Sequence, residues 1–310
     1  MLHTLRNANV PLTITGLLMI ATFVAAVTGL VVDPRTITGA PAWLKPAKFA
    51  ASIAVYTFTL AWILSLIPEW NRTRRIVGWT TAVTMLLEMV IIGLQAFRGT
   101  TSHFNVATLV DGVLFTVMGV AIIVQTLCTI AVAVALWRQQ FADRALGWAL
   151  RLGMSITIIG AMSGGLMTQP TRQQLDAARA GERMAVAGAH TVGAPDGGPG
   201  LAGTGWSTDR GDLRVPHFLG LHALQVLPIV ALVLAGVRLS DRVRVRLTIT
   251  AASSHVALFG ILVSQALRGQ SVIAPDALTV ALLGVWASGT LLAAAVSAFG
   301  VQPVRKPAVA

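Results

Sequence analysis

The chain is short of cysteine and of charge: Cys128 is its one cysteine in 310 residues, and only 11% of the residues are charged. Cys128 lies inside an apolar run, so no disulfide and no cysteine-based metal site can form within the chain. So few charges, with 55% hydrophobic residues and a mean hydropathy of +0.74, exclude an ordinary soluble protein and indicate the all-α integral membrane class. Acidic residues are scarce as well, 12 against 23 Lys and Arg, for a net charge of +11. In a soluble protein that balance would suggest nucleic-acid binding. Here the arginines sit in short loops between apolar runs, where they set topology, so no nucleic-acid partner is expected. No Gly-rich phosphate loop follows a strand, and no HExxH, CxxC or Ser-His-Asp set stands out.

What the chain has is apolar runs, each near the roughly 20 residues that cross a bilayer. Eight spans are predicted, at 10–32, 49–67, 76–97, 109–136, 146–167, 216–237, 247–267 and 277–299. The first follows a short basic start with Arg6 and is too long for a signal-peptide core, so it reads as a span that also acts as the membrane signal. Asp33-Pro34-Arg35 ends it. Trp43, Lys45 and Lys48, ahead of the second span, suit the headgroup layer. Residues 168–215 form one long insertion. A short surface helix is predicted over 171–184. Nine glycines between Gly181 and Gly211, with Pro195 and Pro199, then predict coil held in place by docking on the helices. Pro216 is placed at the first helical position of the sixth span.

Eight spans put both ends on one side of the membrane. Short loops on that side carry Arg72, Arg74, Arg75, Arg138, Arg144, Arg238, Arg242, Arg244 and Arg246, against Arg35, Lys45, Lys48, Arg98 and Arg268 opposite. The positive-inside rule therefore predicts cytoplasmic termini and an outer insertion, in a multi-pass protein of the inner (plasma) membrane. The lipid bilayer is its first partner. The loop 168–215 is a candidate docking surface for a second membrane protein.

An internal repeat is visible. Gln95-Ala96-Phe97-Arg98-Gly99 closes the third span and Gln265-Ala266-Leu267-Arg268-Gly269 closes the seventh, each with a glutamine inside, an arginine at the surface and a glycine to end the helix. Lys45-Pro46-Ala47-Lys48-Phe49 faces Arg214-Val215-Pro216-His217-Phe218 at nearly the same offset, and Gly29 to Pro34 faces Gly165 to Pro170. Two pseudo-symmetric four-helix halves are expected, 1–136 and 137–310, as a parallel repeat with a site between them.

Ionisable groups inside a bilayer are expensive, so each is a candidate for function. Glu88 lies nine residues, roughly 13 Å, from the outer end of its span, with Gln95 two turns along the same face. His255 corresponds by the repeat to Met85, one turn from Glu88, which suggests Glu88 and His255 as a proton-relay pair or a substrate anchor; a structural hydrogen bond between helices is the plainer account. His217 and His222 are five apart, about 140° around a helix, and cannot share one ligand squarely. His222 and Gln225 are three apart and share a face. His217 matches Lys48 in the other half, which fits a headgroup or loop contact. His103 and His222 could place two axial nitrogens on a haem between helices. Arg98, Asp111, Asp212, Arg214 and Arg268 reach the outer surface near His103 and His217. They read either as surface ion pairs or as an entry site for a polar or anionic headgroup.

The phrases Trp43 to Phe49 (WLKPAKF), Arg98 to Asn105 (RGTTSHFN), Gly197 to Gly200 and Asp212 to Gln225 (DLRVPHFLGLHALQ) resemble a group of bacterial multi-pass membrane proteins without an assigned activity. The plan of two four-helix halves with histidines near the outer face also resembles haem A synthase in architecture. The chain departs from that family in lacking paired histidines on matching helices and an outer cysteine pair. Three readings follow. One is a haem-binding or redox-linked protein with His103 and His222 as ligands. The next is a transporter or binder of a small or lipid-like molecule, with Glu88, Gln95, Gln265 and His255 lining a cavity between the halves. The last is an accessory subunit docking through its insertion.

Overall fold

The computed structural model describes residues 9–300, and among them the chain is all-helical apart from two-residue strands. Eight helices are long and apolar enough to cross a membrane: α1 (Val10–Val32), α2 (Leu44–Ser65), α3 (Asn71–Phe97), α4 (Leu109–Arg138), α5 (Arg144–Ser163, extended by a 3-10 turn at Gly164–Leu166), α7 (Arg214–Ala235), α8 (Asp241–Leu267) and α9 (Ala277–Phe299). The short α6 (Arg172–Arg179) lies in the insertion. Arg6 and the tail beyond 300 lie outside the described residues.

Local chemistry sets most of the starts. The side chains of Asn9, Thr108, Asp143, Ser240 and Asp276 each accept a first-turn N–H of α1, α4, α5, α8 and α9. Several helices begin earlier than hydropathy alone indicates: α3 at Asn71, α5 at Arg144 and α8 at Asp241. Helical hydrogen bonding runs on through arginine-bearing turns that have left the apolar layer. Likewise α7 starts at Arg214, so Pro216 is its third residue, still within the turn whose N–H groups need no helical acceptor.

The packing order is regular. α1 packs on α2 and α3, α2 on α3, and α3 on α4. Further along, α5 packs on α7 and α8, α7 on α8, and α8 on α9, while α4 and α5 join the two sets. A shared apolar core of Leu60, Ile63, Leu64, Leu136, Leu150, Met154 and Leu224 draws on both. α5 and α7 meet backbone to backbone: a Cβ on Gly220 would lie 2.5 Å from Gly160 Cα. Close approach of this kind is how helices gain contact where no hydrophobic effect drives them together.

All four longer connections (33–43, 98–108, 164–213 and 268–276) meet at one end, here the insertion face. The insertion is docked there throughout. Thr171 and Gln174 form a capping box on α6, and Gln174 also holds the backbone of Gly188. Val106 N–H donates to Ala185 O, Ala187 N–H to Phe104 O, and Leu213 N–H to His190 O. Two small antiparallel pairs form, Thr36–Ile37 with Ala40–Pro41 and Thr191–Val192 with Gly211–Asp212. Gly39, at φ +73°, abuts the Gly197 carbonyl so closely that no side chain fits between them. At the opposite, arginine-rich end, Arg151 donates to Leu136 O and Gln139 O and is ringed by Trp137, Phe141 and Trp148.

Candidate functional site

Two helix corners on the insertion face are built alike. Where α3 turns into α4, Gln95 Nε2 donates to Thr101 O (3.2 Å) and to Asp111 Oδ1 (2.9 Å). Arg98 reaches Gln95 Oε1 and Asp111 Oδ1, the latter at 2.7 Å. Where α8 turns towards α9, Gln265 Nε2 donates to Ser271 O (2.8 Å), and Arg268 donates to Asp276 (3.1 Å) and Thr279 (2.6 Å). Gly99 and Gly269 take φ +73° and +71° at the same step. Even the caps are related: Thr108 with Asp111 on α4 is exchanged for Asp276 with Thr279 on α9. Gln95, Arg98, Asp111, Gln265 and Arg268 are thus bonded into helix ends.

A second recurring device is Asp-x-Arg. Asp33 accepts from the backbone N–H and guanidinium of Arg35, and Asp212 does the same with Arg214. Arg35 and Trp43 hold the Asp33 carboxyl well below the usual carboxylate range. Asp212 also takes the Ser207 N–H, and Arg214 donates to Gly205 O, so this pair pins the insertion to the start of α7.

Between these devices lies a cluster whose members are less satisfied. Lys45, second residue of α2, donates through Nζ to His103 Nδ1 at 3.0 Å, and Ser102 Oγ is 3.0 Å from the same nitrogen. Phe49 and Phe104 flank the His103 ring. Burial, then the charge of Lys45, holds His103 well below the ordinary histidine range, so it is a neutral acceptor. Above it, His190 packs edge-on against Phe104, and its Nδ1 donates to Asp196 Oδ2 at 2.7 Å. The backbone N–H groups of His190 and Thr191 bind Asp196 too. Burial outweighs Asp196 and lowers His190. For Asp196 burial acts upward, but these bonds prevail and its carboxyl stays well below the usual range.

Below Lys45 is Glu88. It is 2% exposed, and its Oε1 has no hydrogen-bond partner among the described residues. Glu88 belongs to a polar stripe on the buried face of α3, formed by Gln95, Glu88, Thr84 and Thr81, over roughly 21 Å of helix rise. Thr84 Oγ1 meets Gln125 Oε1 of α4 (3.1 Å), Gln125 Nε2 donates to Tyr56 OH of α2 (2.7 Å), and Tyr56 OH is 3.5 Å from Thr129 Oγ1. Sequence reasoning missed this network and Lys45. The signal was present in the i, i+3, i+7, i+14 spacing of Thr81, Thr84, Glu88 and Gln95, but threonines are too common in spans to announce a polar stripe.

Among the described residues none of the remaining histidines is hydrogen-bonded to Glu88. His255 donates through Nε2 to Leu219 O (2.9 Å), a bond between α8 and α7. His217 Nδ1 donates to Gly160 O (2.8 Å), tying α7 to α5. His222 is exposed on α7, with Nδ1 3.4 Å from Gln225 Oε1; Gln225 Nε2 in turn lies 3.5 Å from Thr59 of α2. Among the described residues no group of three or more His, Cys, Asp or Glu is arranged to hold a metal ion. A surface depression of about 600 Å³ runs along α4 beside Arg183, and a crevice of about 10 Å³ lies at Asp212 and Gln265; neither touches Glu88. No protein-family model matches the chain, and neither does any curated protein or solved structure.

Proposed function

We propose that this is a bacterial inner-membrane protein, with cytoplasmic termini, that passes a proton along the buried face of α3 through Glu88 in step with binding or moving a small molecule. The polar stripe Gln95–Glu88–Thr84–Thr81 carries the reading. Its roughly 21 Å is about two-thirds of a ~30 Å hydrocarbon core, and it holds the buried carboxyl that has a free oxygen. A carboxylate in such a place costs several kcal/mol unless it is neutralised by a proton or by a cation. Lys45, at the start of α2, is the cation this reading assigns to it. Loss of the proton from Glu88 is balanced in this reading by Lys45 swinging towards it from its bond to His103 Nδ1, since Lys45 is not paired with a carboxylate at rest. His255 stands outside this relay, committed to Leu219 O.

The two-half plan supports a site walled by both sets of helices. The order of helix contacts repeats, and the Gln-x-x-Arg-Gly corners share their hydrogen-bond design. The arginine-rich loops at the other face support the cytoplasmic assignment of the termini.

The test uses vesicles loaded with a pH-sensitive dye and an imposed membrane potential. Wild-type protein is expected to carry protons, and Glu88→Gln at equal incorporation to lose about 99% of that flux or more, the roughly hundredfold effect at the low end for general acid–base groups. Equal flux from the two proteins overturns the proposal. A haem between His103 and His222 is the other reading of this face. It requires a Soret band that His222→Ala removes, whereas His103 here is engaged by Lys45 and His222 by Gln225.

A further inference from the structure

We propose that the first turn of α2 binds the anionic group of a carboxylate or phosphate compound between Lys45 and Lys48, under the part of the insertion at Thr204 and Gly205.

The argument rests on charges that lack counter-charges. Lys45 and Lys48 are three residues apart and share a face of α2. Each ammonium has three N–H donors. Lys45 has one acceptor, the neutral ring nitrogen of His103 at 3.0 Å, and Lys48 has one, the Thr204 carbonyl at 2.5 Å. Among the described residues no carboxylate lies within ion-pair distance of either. The nearby carboxylates are committed elsewhere. Asp212 is taken by Arg214 and Ser207 N–H, and Asp196 by His190 and two backbone N–H groups.

The surroundings add to the surplus. Arg214 donates to Gly205 O, next to the Thr204 O that Lys48 holds, so a third cation stands beside the same turn. Half-buried lysines without a counter-charge beneath a docked loop are costly, and an anion seated between them lowers that cost. The first turn of α2 adds the positive end of a helix. The corner arginines Arg98 and Arg268, by contrast, already hold Asp111 and Asp276. Among the described residues Lys45 and Lys48, at the mouth of α2, have no such carboxylate. A free small acid and a lipid headgroup offer the same recognising chemistry here.

This site shares Lys45 with the proton relay but does not rest on Glu88 taking up a proton. The experiment uses the purified full chain in a neutral detergent. Inorganic phosphate and acetate are titrated first, then vesicles of phosphatidylcholine with and without phosphatidylglycerol. Binding of at least one probe is expected, weakened at least about tenfold by Lys45→Met and by Lys48→Met, the equivalent of ~1.4 kcal/mol. Lys48→Arg should keep most of it. Binding of a free anion assigns a soluble acid; binding confined to phosphatidylglycerol vesicles assigns a headgroup. Binding is read with no proton gradient, so a protein that binds a probe but carries no protons leaves this site standing and sinks the proton reading alone. Should a methionine variant fail to fold, protection of Lys48 from an amine-reactive reagent by the same probes, read by mass spectrometry on wild-type protein, gives the answer. No binding by any probe, or binding indifferent to both lysines, overturns the proposal.

Discussion

Gly160→Ala tests the packing on which the second set of helices depends. A Cβ at Gly160 would lie 2.6 Å from Leu221 N, against 3.4 Å for the near limit of ordinary contact. α5 and α7 must therefore part by roughly 1 Å, and overpacking of that kind costs about 1–3 kcal/mol. Two bonds cross the same contact, from His217 Nδ1 to Gly160 O at 2.8 Å and from Thr157 Oγ1 to Leu221 O at 3.2 Å. Interhelical bonds in membranes average about 0.6 kcal/mol each, and both lengthen if the helices part. Against this, alanine favours a helix over glycine by about 1 kcal/mol. The net expected loss is about 1–3 kcal/mol. Gly284→Ala supplies the control, because nothing lies within 4 Å of its would-be Cβ and only the favourable propensity remains. Unfolding of both variants in mild detergent, followed by tryptophan fluorescence, compares them directly. If Gly160→Ala proves as stable as Gly284→Ala, the close crossing of α5 and α7 is wrong.

The insertion should loosen in acid. His190 and Asp196 both have lowered pKa values where docked. The undocked loop therefore binds protons more readily, and docking is full above the ordinary histidine value of about 6.5. It weakens as pH falls below that value, then further below the ordinary aspartate value of about 3.9 as Asp196 is titrated. Protease cutting of the insertion in reconstituted protein should accelerate across the first window, and a flat profile counts against the dyad. At the α3–α4 corner, Arg98→Ala leaves buried Gln95 and Asp111 without their cation. With Arg98 itself 37% exposed, a loss of about 1–3 kcal/mol is expected, less than for a fully buried pair. Arg98→Lys should recover only part of it, since lysine lacks the planar fork that reaches both partners; unfolding unchanged in both variants contradicts the corner.

Much of the fold was legible in composition. α1 and α9 begin and end where the apolar runs do, because Asn9 and Asp276 stand at their caps and Asp33 and Gly300 at their ends. α3 and α8 begin five and six residues before their predicted starts, since helix geometry continues through Arg72 to Arg75 and Arg242 to Arg246 while hydropathy stops there. The Gln-x-x-Arg-Gly repeat was legible as a repeat, but its role was not. Residues at a surface turn look free to bind ligand until Asp111 and Asp276 are seen to occupy them. Glu88 was legible as a single charge in a span. Its relation to Lys45 was not, because Lys45 looks like a headgroup anchor and is 43 positions away. His190 with Asp196 was hidden in a glycine-rich stretch whose order comes from docking rather than from local propensity.

The most direct measurement is infrared difference spectroscopy of the reconstituted protein titrated with acid. The account predicts a protonated-carboxyl band that appears on titration, shifts in deuterium oxide and is absent from Glu88→Gln, with the titration displaced in Lys45→Met. A spectrum in which Glu88→Gln and wild type show the same carboxyl bands would contradict it.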